Sequence, residues 1–271
     1  MASAPTAPVA CFAASRRPVP APATAASRLP PEHAPPRRLP YSAGMSESPH
    51  DSPAGWAARW VPDGLPPDGQ RAAFHRIAAA VRRMNELLVD SDMPEAGLIA
   101  AAEAAEALAR RFEDGPRNRP HFGFGETANA GNPRAHFDSS PLAGLANPVA
   151  PPLNLTVENG TVIGRVTFTR PYEGPPNHCH GGFVAAAFDE VLGLTQSMSG
   201  KGGMTGTLTV RYRRPTPLHR EVVFTGRLDR VEGRKIFTSA TLHDGSTLCA
   251  EAEGIFISYD LSRLAALANQ P

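Results

Sequence analysis

The chain has 271 residues and a net charge of +1, from 27 Lys and Arg against 26 Asp and Glu. It lacks the basic excess that nucleic-acid binding usually needs, and it has no run of about 18 apolar residues, so neither a nucleic-acid partner nor a membrane span is predicted. The cysteines Cys11, Cys179 and Cys249 are far apart and odd in number, which favours a reducing, cytoplasmic location over a disulfide framework.

Residues 1–53 are rich in Pro, Ala, Ser and Arg and show no apolar periodicity. Such a segment buries too little surface to offset its conformational entropy, so a disordered tail is predicted. The arginines, with Glu32 the one acid in residues 1–44, are typical of a transit peptide. We favour a second interpretation, because Met45 precedes an ordinary polar start. Residues 1–44 are then a dispensable tail or an over-long reading of the gene.

Residues 54–113 have helical periodicity. Apolar residues recur at three- and four-residue spacing in two runs, Phe74, Ile77, Val81, Met84 and Leu88, then Leu98, Ala101, Ala105 and Leu108. Pro94 separates the two runs, so a helical hairpin is predicted. Its apolar stripe should cover another surface or pair with a partner. Residues 114–147 contain Gly-Pro and Asn-Pro steps and are predicted to form a loop-rich connector.

After Pro152 the pattern changes to strands. Residues 153–157 and 162–168 flank Asn159-Gly160, a strong hairpin signal. A helix to about residue 199 follows, and then four further strand-like runs, at 206–213, 221–231, 235–244 and 246–258. A single helix followed by antiparallel strands predicts an α+β fold in which a sheet wraps around that helix.

The helix opens with His180-Gly181-Gly182 and carries Asp189 further along. The first amides of a helix lack intrahelical partners and lie at the positive end of its dipole, and glycine allows a ligand to approach closely. This start therefore predicts an oxyanion hole, with Asp189 as a general base or nucleophile. The alternative is a buried helix start with Asp189 and Glu190 merely solvated.

The element order, His180-Gly181-Gly182 and Asp189 together resemble the hotdog-fold acyl-CoA thioesterases of the PaaI-like and hydroxybenzoyl-CoA thioesterase group. The resemblance covers roughly residues 148–259, including the strand that ends in Arg213-Arg214-Pro215. It implies a hotdog domain over residues 148–262, an antiparallel sheet wrapped around one long helix. It further implies hydrolysis of an acyl-CoA to free acid and CoA by a homodimer or tetramer without a cofactor.

The resemblance also implies roles for single residues. The amide of Gly181 or Gly182 would hold the thioester oxygen, and His180 would shape the turn. Asp189 would be the catalytic carboxylate, acting across a dimer interface on substrate held by the other subunit. Thr205 would supply a hydroxyl that orients the attacking water.

Two departures from the family's pattern stand out. Some relatives carry an amide side chain six positions before the histidine, where this chain has Gly174, and its nearest amide is Asn177. Glu190 could also be the working acid, although one helical step turns it about 100° from Asp189. Basic residues are expected to bind the CoA phosphates, although each could also lie on a solvated strand face; the candidates are Arg211, Arg213, Arg214, Arg234 and Lys235.

Other chemistries fit less well. His178-Cys179-His180 suggests a metal site, but successive residues on a turn rarely converge on one ion, and no metal site is predicted. Cys179 as a nucleophile lacks an oriented base. A hotdog hydratase would pair Asp and His on a different motif. A non-catalytic hotdog module that binds acyl-CoA or scaffolds a partner remains the alternative function.

Overall fold

The computed structural model describes residues 69–116 and 138–258. The predicted tail over residues 1–53 lies outside the described residues, as does most of the connector. The described part begins with two helices, α1 (Gly69–Val89) and α2 (Glu95–Glu113), so the predicted N-terminal extension is helical where it is described, and its residues 54–68 lie outside the described residues. None of the described helices combines the length and apolar character needed to cross a membrane.

A six-stranded antiparallel sheet follows, and one long helix lies between its second and third strands in the sequence. The helix is α3 (Gly181–Ser197), and the strands are β1 (Asn154–Glu158), β2 (Thr161–Thr167), β3 (Gly203–Tyr212), β4 (Glu221–Glu232), β5 (Lys235–Asp244) and β6 (Thr247–Ser258). Their order in the sheet is β1-β2-β4-β5-β6-β3. The predicted α+β hotdog fold is confirmed, and β1 and β3 are its edge strands.

The first hairpin forms where the sequence predicts it. Asn159 and Gly160 have φ values of 49° and 76°, the pair of left-handed conformations that a two-residue hairpin turn needs. On either side, Val157 pairs with Val162 and Glu158 with Thr161. Because side chains alternate along a strand, this register places Leu155 and Val162 in the core.

The core lies between α3 and the sheet. Phe188 of α3 packs edge-on against Phe224 of β4, with ring centroids 4.9 Å apart. Gly226 of β4 lets the helix come close, since a Cβ there would lie 2.4 Å from Thr195 Oγ1. The sheet therefore packs against α3 along its length and fixes the position of its N-terminal turn.

The helix α1 is anchored to the connector by polar contacts. Asp138, 8% exposed, accepts a hydrogen bond from Arg71 Nε at 2.8 Å and lies 2.6 Å from His75 Nε2. Arg82 donates to the Asn147 carbonyl at 2.8 Å. At the far end, Asp90 accepts from Arg170 at 2.7 Å. The extension is thus bonded to the connector and, through Arg170, to the segment between β2 and α3.

The apolar stripe of α2 is exposed among the described residues. None of its residues is buried, and Leu98, Leu108 and Phe112 face solvent. Met84 and Leu88, predicted to lie on the apolar face of α1, are exposed as well. That this stripe covers a surface or pairs with a partner therefore stays a prediction.

Candidate active site

The side chain of His180 caps the start of α3. Its φ of −62° and ψ of 132° are extended, and its Nδ1 accepts a hydrogen bond from the Gly182 amide at 3.0 Å. Since Nδ1 accepts, the neutral ring carries its proton on Nε2. The His180 amide in turn donates to the Tyr172 carbonyl at 2.8 Å. His180 thus fixes the entry of the chain into the helix.

The first turn of α3 leaves one amide available. The Gly182 amide is used by His180, and the amides of Phe183 and Val184 both donate to the His180 carbonyl, at 3.0 and 3.3 Å. Within the residues that the structure describes, the Gly181 amide has no acceptor. Of the two glycines proposed from the sequence, Gly181 is therefore the one whose donor can meet a ligand.

Tyr212, which the sequence analysis missed, holds the same turn from the edge strand β3. Its hydroxyl donates to the Gly181 carbonyl at 2.7 Å. A Cβ at Gly181 would lie 3.4 Å from the Tyr212 ring, an ordinary contact distance, so the ring packs directly beside this turn. The one signal in the sequence is a tyrosine that ends the strand just before Arg213.

Asp189 and Glu190 point to different elements. Asp189 Oδ1 accepts a hydrogen bond from Thr205 Oγ1 of β3 at 2.8 Å. Glu190 Oε1 accepts from Ser140 Oγ in the connector at 2.8 Å, and the same Ser140 oxygen also accepts the amide of Leu142. Asp189 therefore faces the edge of the sheet, and Glu190 helps to hold the connector on α3.

Gly181 and Asp189 lie on the same helix but not at the same point along it. Eight residues of α-helix rise about 12 Å. A water that attacks a carbonyl carbon lies about 3 Å from it, while the carbonyl oxygen lies within hydrogen-bond reach of its donor. In one copy of the chain, the Gly181 amide and the Asp189 carboxylate are therefore too far apart to act on the same thioester.

Gly174, where some relatives have an amide side chain, leaves no room for one here. A Cβ at this position would lie 2.8 Å from the His180 Cα. Asn177, the nearest amide, has a left-handed φ of 60°, and its own backbone amide donates to Glu173 Oε1 at 2.5 Å. Its side chain is exposed and has no hydrogen bond among the described residues.

The basic candidates fall into two groups at opposite ends of β3. Arg213 and Arg214 follow Tyr212, near Gly181, whereas Arg234 and Lys235 lie beside the strand's start, where Arg234 donates to the Ser258 carbonyl at 3.2 Å. A strand of this length spans roughly 30 Å. One copy of the chain does not gather these groups into one phosphate site.

Two of the basic candidates form ion pairs with carboxylates on the sheet surface. Arg211 pairs with Glu253 at 2.8 Å, and Arg213 pairs with Glu251. Arg211, Glu251 and Glu253 also line a cavity of about 270 Å³ on the sheet. Neither Gly181 nor Asp189 lines it, so Arg211 serves this surface rather than the helix start.

His178, Cys179 and His180 do not converge on a common point. His178 Nδ1 donates to the Pro176 carbonyl at 2.8 Å, while Cys179 is buried. In the two described ranges, no group of three potential ligands is close enough to hold a metal. Burial raises the pKa of Cys179 to about 12, so its thiol is protonated at neutral pH and is a poor nucleophile.

Several known proteins whose sequences are similar to this chain are named thioesterases. A family model described as the thioesterase superfamily matches residues 176–250, a range that includes Gly181, Asp189 and Thr205. The acyl-coenzyme A thioesterase THEM4 of Xenopus laevis is 42% identical over 90 residues, 32% of this chain and 40% of the relative. THEM5 of Homo sapiens is 35% identical over 91 residues, 33% of this chain and 37% of the relative. The chain thus spans about 40% of the length of these curated relatives.

A solved structure resembles much more of the chain. Protein RHA08564, described as a thioesterase superfamily protein, is 36% identical with a TM-score of 0.63. The likeness covers 71% of this chain and 97% of that chain. Residues 154–258 could not supply so large a share alone. The likeness therefore includes residues outside the sheet and α3.

Proposed function

The chain belongs to the thioesterase superfamily, as its sequence pattern predicts, and we propose that it hydrolyses an acyl-CoA thioester to the free acid and CoA. The observation that carries this proposal is that one helix has both a Gly181 amide at its start, without an acceptor among the described residues, and a carboxylate, Asp189, held by Thr205. The relatives named acyl-coenzyme A thioesterases support acyl-CoA as the substrate class.

The Gly181 amide would bind the carbonyl oxygen of the thioester. Negative charge develops on this oxygen when a nucleophile adds to the carbonyl carbon. A preorganised donor at that point typically contributes about 3–4 kcal/mol to the transition state. The positive end of the α3 dipole acts in the same direction.

Asp189 would act as the base. Thr205 occupies Oδ1, so Oδ2 is available to take a proton from the attacking water. The resulting hydroxide adds to the carbonyl carbon, the carbon–sulfur bond breaks, and the proton passes to the departing CoA sulfur. Atoms and charge balance without a cofactor.

The minimum working unit we propose is a homodimer formed through β3. The 12 Å rise between Gly181 and Asp189 requires that the donor and the base of one site come from different copies. The strand β3 is an edge strand, and most of its residues are exposed. An edge of this kind pairs readily with a second copy of itself.

Antiparallel pairing of two β3 strands would bring opposite ends together. The Thr205 end of one strand, with Asp189, would lie near the Tyr212 end of the other, with Gly181. The same pairing would bring Arg234 and Lys235 of one copy toward Arg213 and Arg214 of the second. Basic side chains from both copies would then bind the CoA phosphates at the mouth of each shared site.

The unpaired, buried thiols of Cys179 and Cys249 support the cytoplasm as the compartment for this reaction.

The decisive experiment is a hydrolysis screen of the full chain over short-chain, long-chain and aryl acyl-CoA esters. Turnover of at least one ester above the buffer rate is the expected result. Binding of acyl-CoA without turnover of any ester would contradict the proposal and would favour the non-catalytic module.

A further inference from the structure

We propose that Tyr212 is a positioning residue that sets the orientation of the Gly181 amide, an inference that rests on the proposed thioester hydrolysis. Tyr212 lies on β3 and Gly181 opens α3, 31 positions apart in sequence. The hydroxyl of Tyr212 donates to the Gly181 carbonyl at 2.7 Å. None of the roles implied by the motif involves this residue.

The contact completes a clamp on one peptide group. The peptide that joins Gly181 to Gly182 is a rigid plane with its carbonyl at one end and its N–H at the other. The carbonyl accepts from Tyr212, and the N–H donates to His180 Nδ1 at 3.0 Å. A hydrogen bond at each end leaves this plane little freedom to rotate.

Such a clamp matters because the helix starts with two glycines. Glycine has the freest backbone of any residue, and a helix's first turn lacks half of its internal hydrogen bonds. The Gly181 N–H belongs to the preceding peptide plane, which is joined to the clamped plane through the Gly181 Cα. Holding that plane therefore keeps the free N–H aimed at a fixed point, which is what preorganised stabilisation of an oxyanion requires.

The chemistry of Tyr212 suits this position. Partial desolvation raises the pKa of its phenol above the usual value, even though 54% of the residue is exposed, so the hydroxyl remains a donor through the physiological pH range. Its ring lies 3.4 Å from the point where a Cβ of Gly181 would be, so the ring also limits sideways movement of the turn. One edge strand thus holds Gly181 through Tyr212 and Asp189 through Thr205.

The test is Tyr212→Phe, which keeps the ring and removes only the hydroxyl. We expect kcat to fall by about tenfold with KM within about twofold, because the lost contact acts on the transition state rather than on binding. The matched control is Tyr172→Phe. Its hydroxyl also donates to a main-chain carbonyl, that of Val149 at 2.9 Å, and not to Gly181, while its ring, which the variant keeps, packs edge-on against Phe183. This variant should lose thermal stability and keep kcat.

Hydrogen–deuterium exchange supplies a readout that does not depend on activity. In Tyr212→Phe, the peptide that covers residues 180–185 should exchange several-fold faster than in the wild type, and in Tyr172→Phe it should not. Unchanged exchange, or faster exchange with an unchanged kcat, would overturn the positioning role. If the wild type hydrolyses no acyl-CoA, the proposed function fails, whereas the exchange result still decides whether Tyr212 holds the turn.

Discussion

The hydroxyl of Thr205 donates to Oδ1 of Asp189 at 2.8 Å and so joins the edge strand β3 to the middle of α3. Glu190, the next residue, is turned toward the connector, where Ser140 donates to it. Two carboxylates that are adjacent in the chain therefore have different surroundings: Asp189 faces the edge at which a second copy can pair, and Glu190 anchors the segment before the sheet.

Asp189→Asn should lower kcat by about 10²- to 10⁴-fold, because the amide cannot take a proton from water. Glu190→Gln should keep kcat within a few-fold of wild type and instead lower the melting temperature, since it weakens the contact with Ser140. Steady-state turnover on the best acyl-CoA, together with thermal unfolding, measures both effects. An inactive Glu190→Gln variant together with a fully active Asp189→Asn variant would show that Glu190, and not Asp189, is the base.

Thr205→Val should reduce kcat by roughly 10- to 100-fold, because removing a hydrogen bond to a charged group costs about 1.5–3 kcal/mol and leaves Asp189 free to change rotamer. Thr207→Val, on the same exposed strand, is the matched control and should behave as the wild type. Equal turnover by the two variants would show that the hydroxyl of Thr205 does not hold the acid during the reaction.

Residues 45–271 should have the mass of at least two chains in solution, because the donor and the base of one site lie about 12 Å apart in a single copy. Light scattering over a range of concentrations measures this mass, and turnover at each concentration shows whether activity follows it. A monomer with full activity would refute the shared site.

Gly174→Asn should lower turnover even though it restores the amide side chain found in some relatives. A Cβ here would lie 2.8 Å from the His180 Cα, so the turn that presents Gly181 would be displaced. Gly233→Asn is a suitable control, because its surroundings are open and asparagine tolerates its φ of 57°. Higher kcat in Gly174→Asn than in the wild type would show that the turn adapts to the side chain.

Cys179→Ala should keep kcat at neutral pH, since burial raises the pKa of this thiol from 9.0 to about 12. The same shift has a consequence for stability. Above about pH 9 the unfolded chain releases this proton and the folded chain keeps it, so the wild type loses stability as the pH rises from 9 toward 12.

The Cys179→Ala variant lacks this contribution, so its free energy of unfolding should fall less between pH 8 and pH 10.5 than that of the wild type. Urea denaturation at the two pH values measures the difference. Loss of turnover on this substitution, in a variant that still folds, would instead support Cys179 as a nucleophile.

Local features of the chain were enough to predict most elements of the fold. Asn159-Gly160 specifies its hairpin because both residues accept left-handed φ values, which few others do. The boundaries of β3 were harder to predict: it begins at Gly203 rather than residue 206, since pairing of Gly203 with Ser258 extends it. What covers Met84 and Leu88, which are exposed in the structure, could not be predicted, because periodicity shows which residues share a helix face but not what lies against that face.

The sequence by itself determined that a glycine-led helix start and an acid eight residues later belong to one helix wrapped by a sheet. Spacing along a chain is enough for this, because helix and strand periods are local properties. Only the tertiary structure decided that Gly181 and not Gly182 has the free amide, that Asp189 and not Glu190 meets Thr205, and that Tyr212 holds the turn. The first choice depends on the rotamer of His180, whose Nδ1 accepts the Gly182 amide two residues away. The other two depend on hydrogen bonds between residues distant in sequence, and such bonds exist only once β3 has packed beside α3.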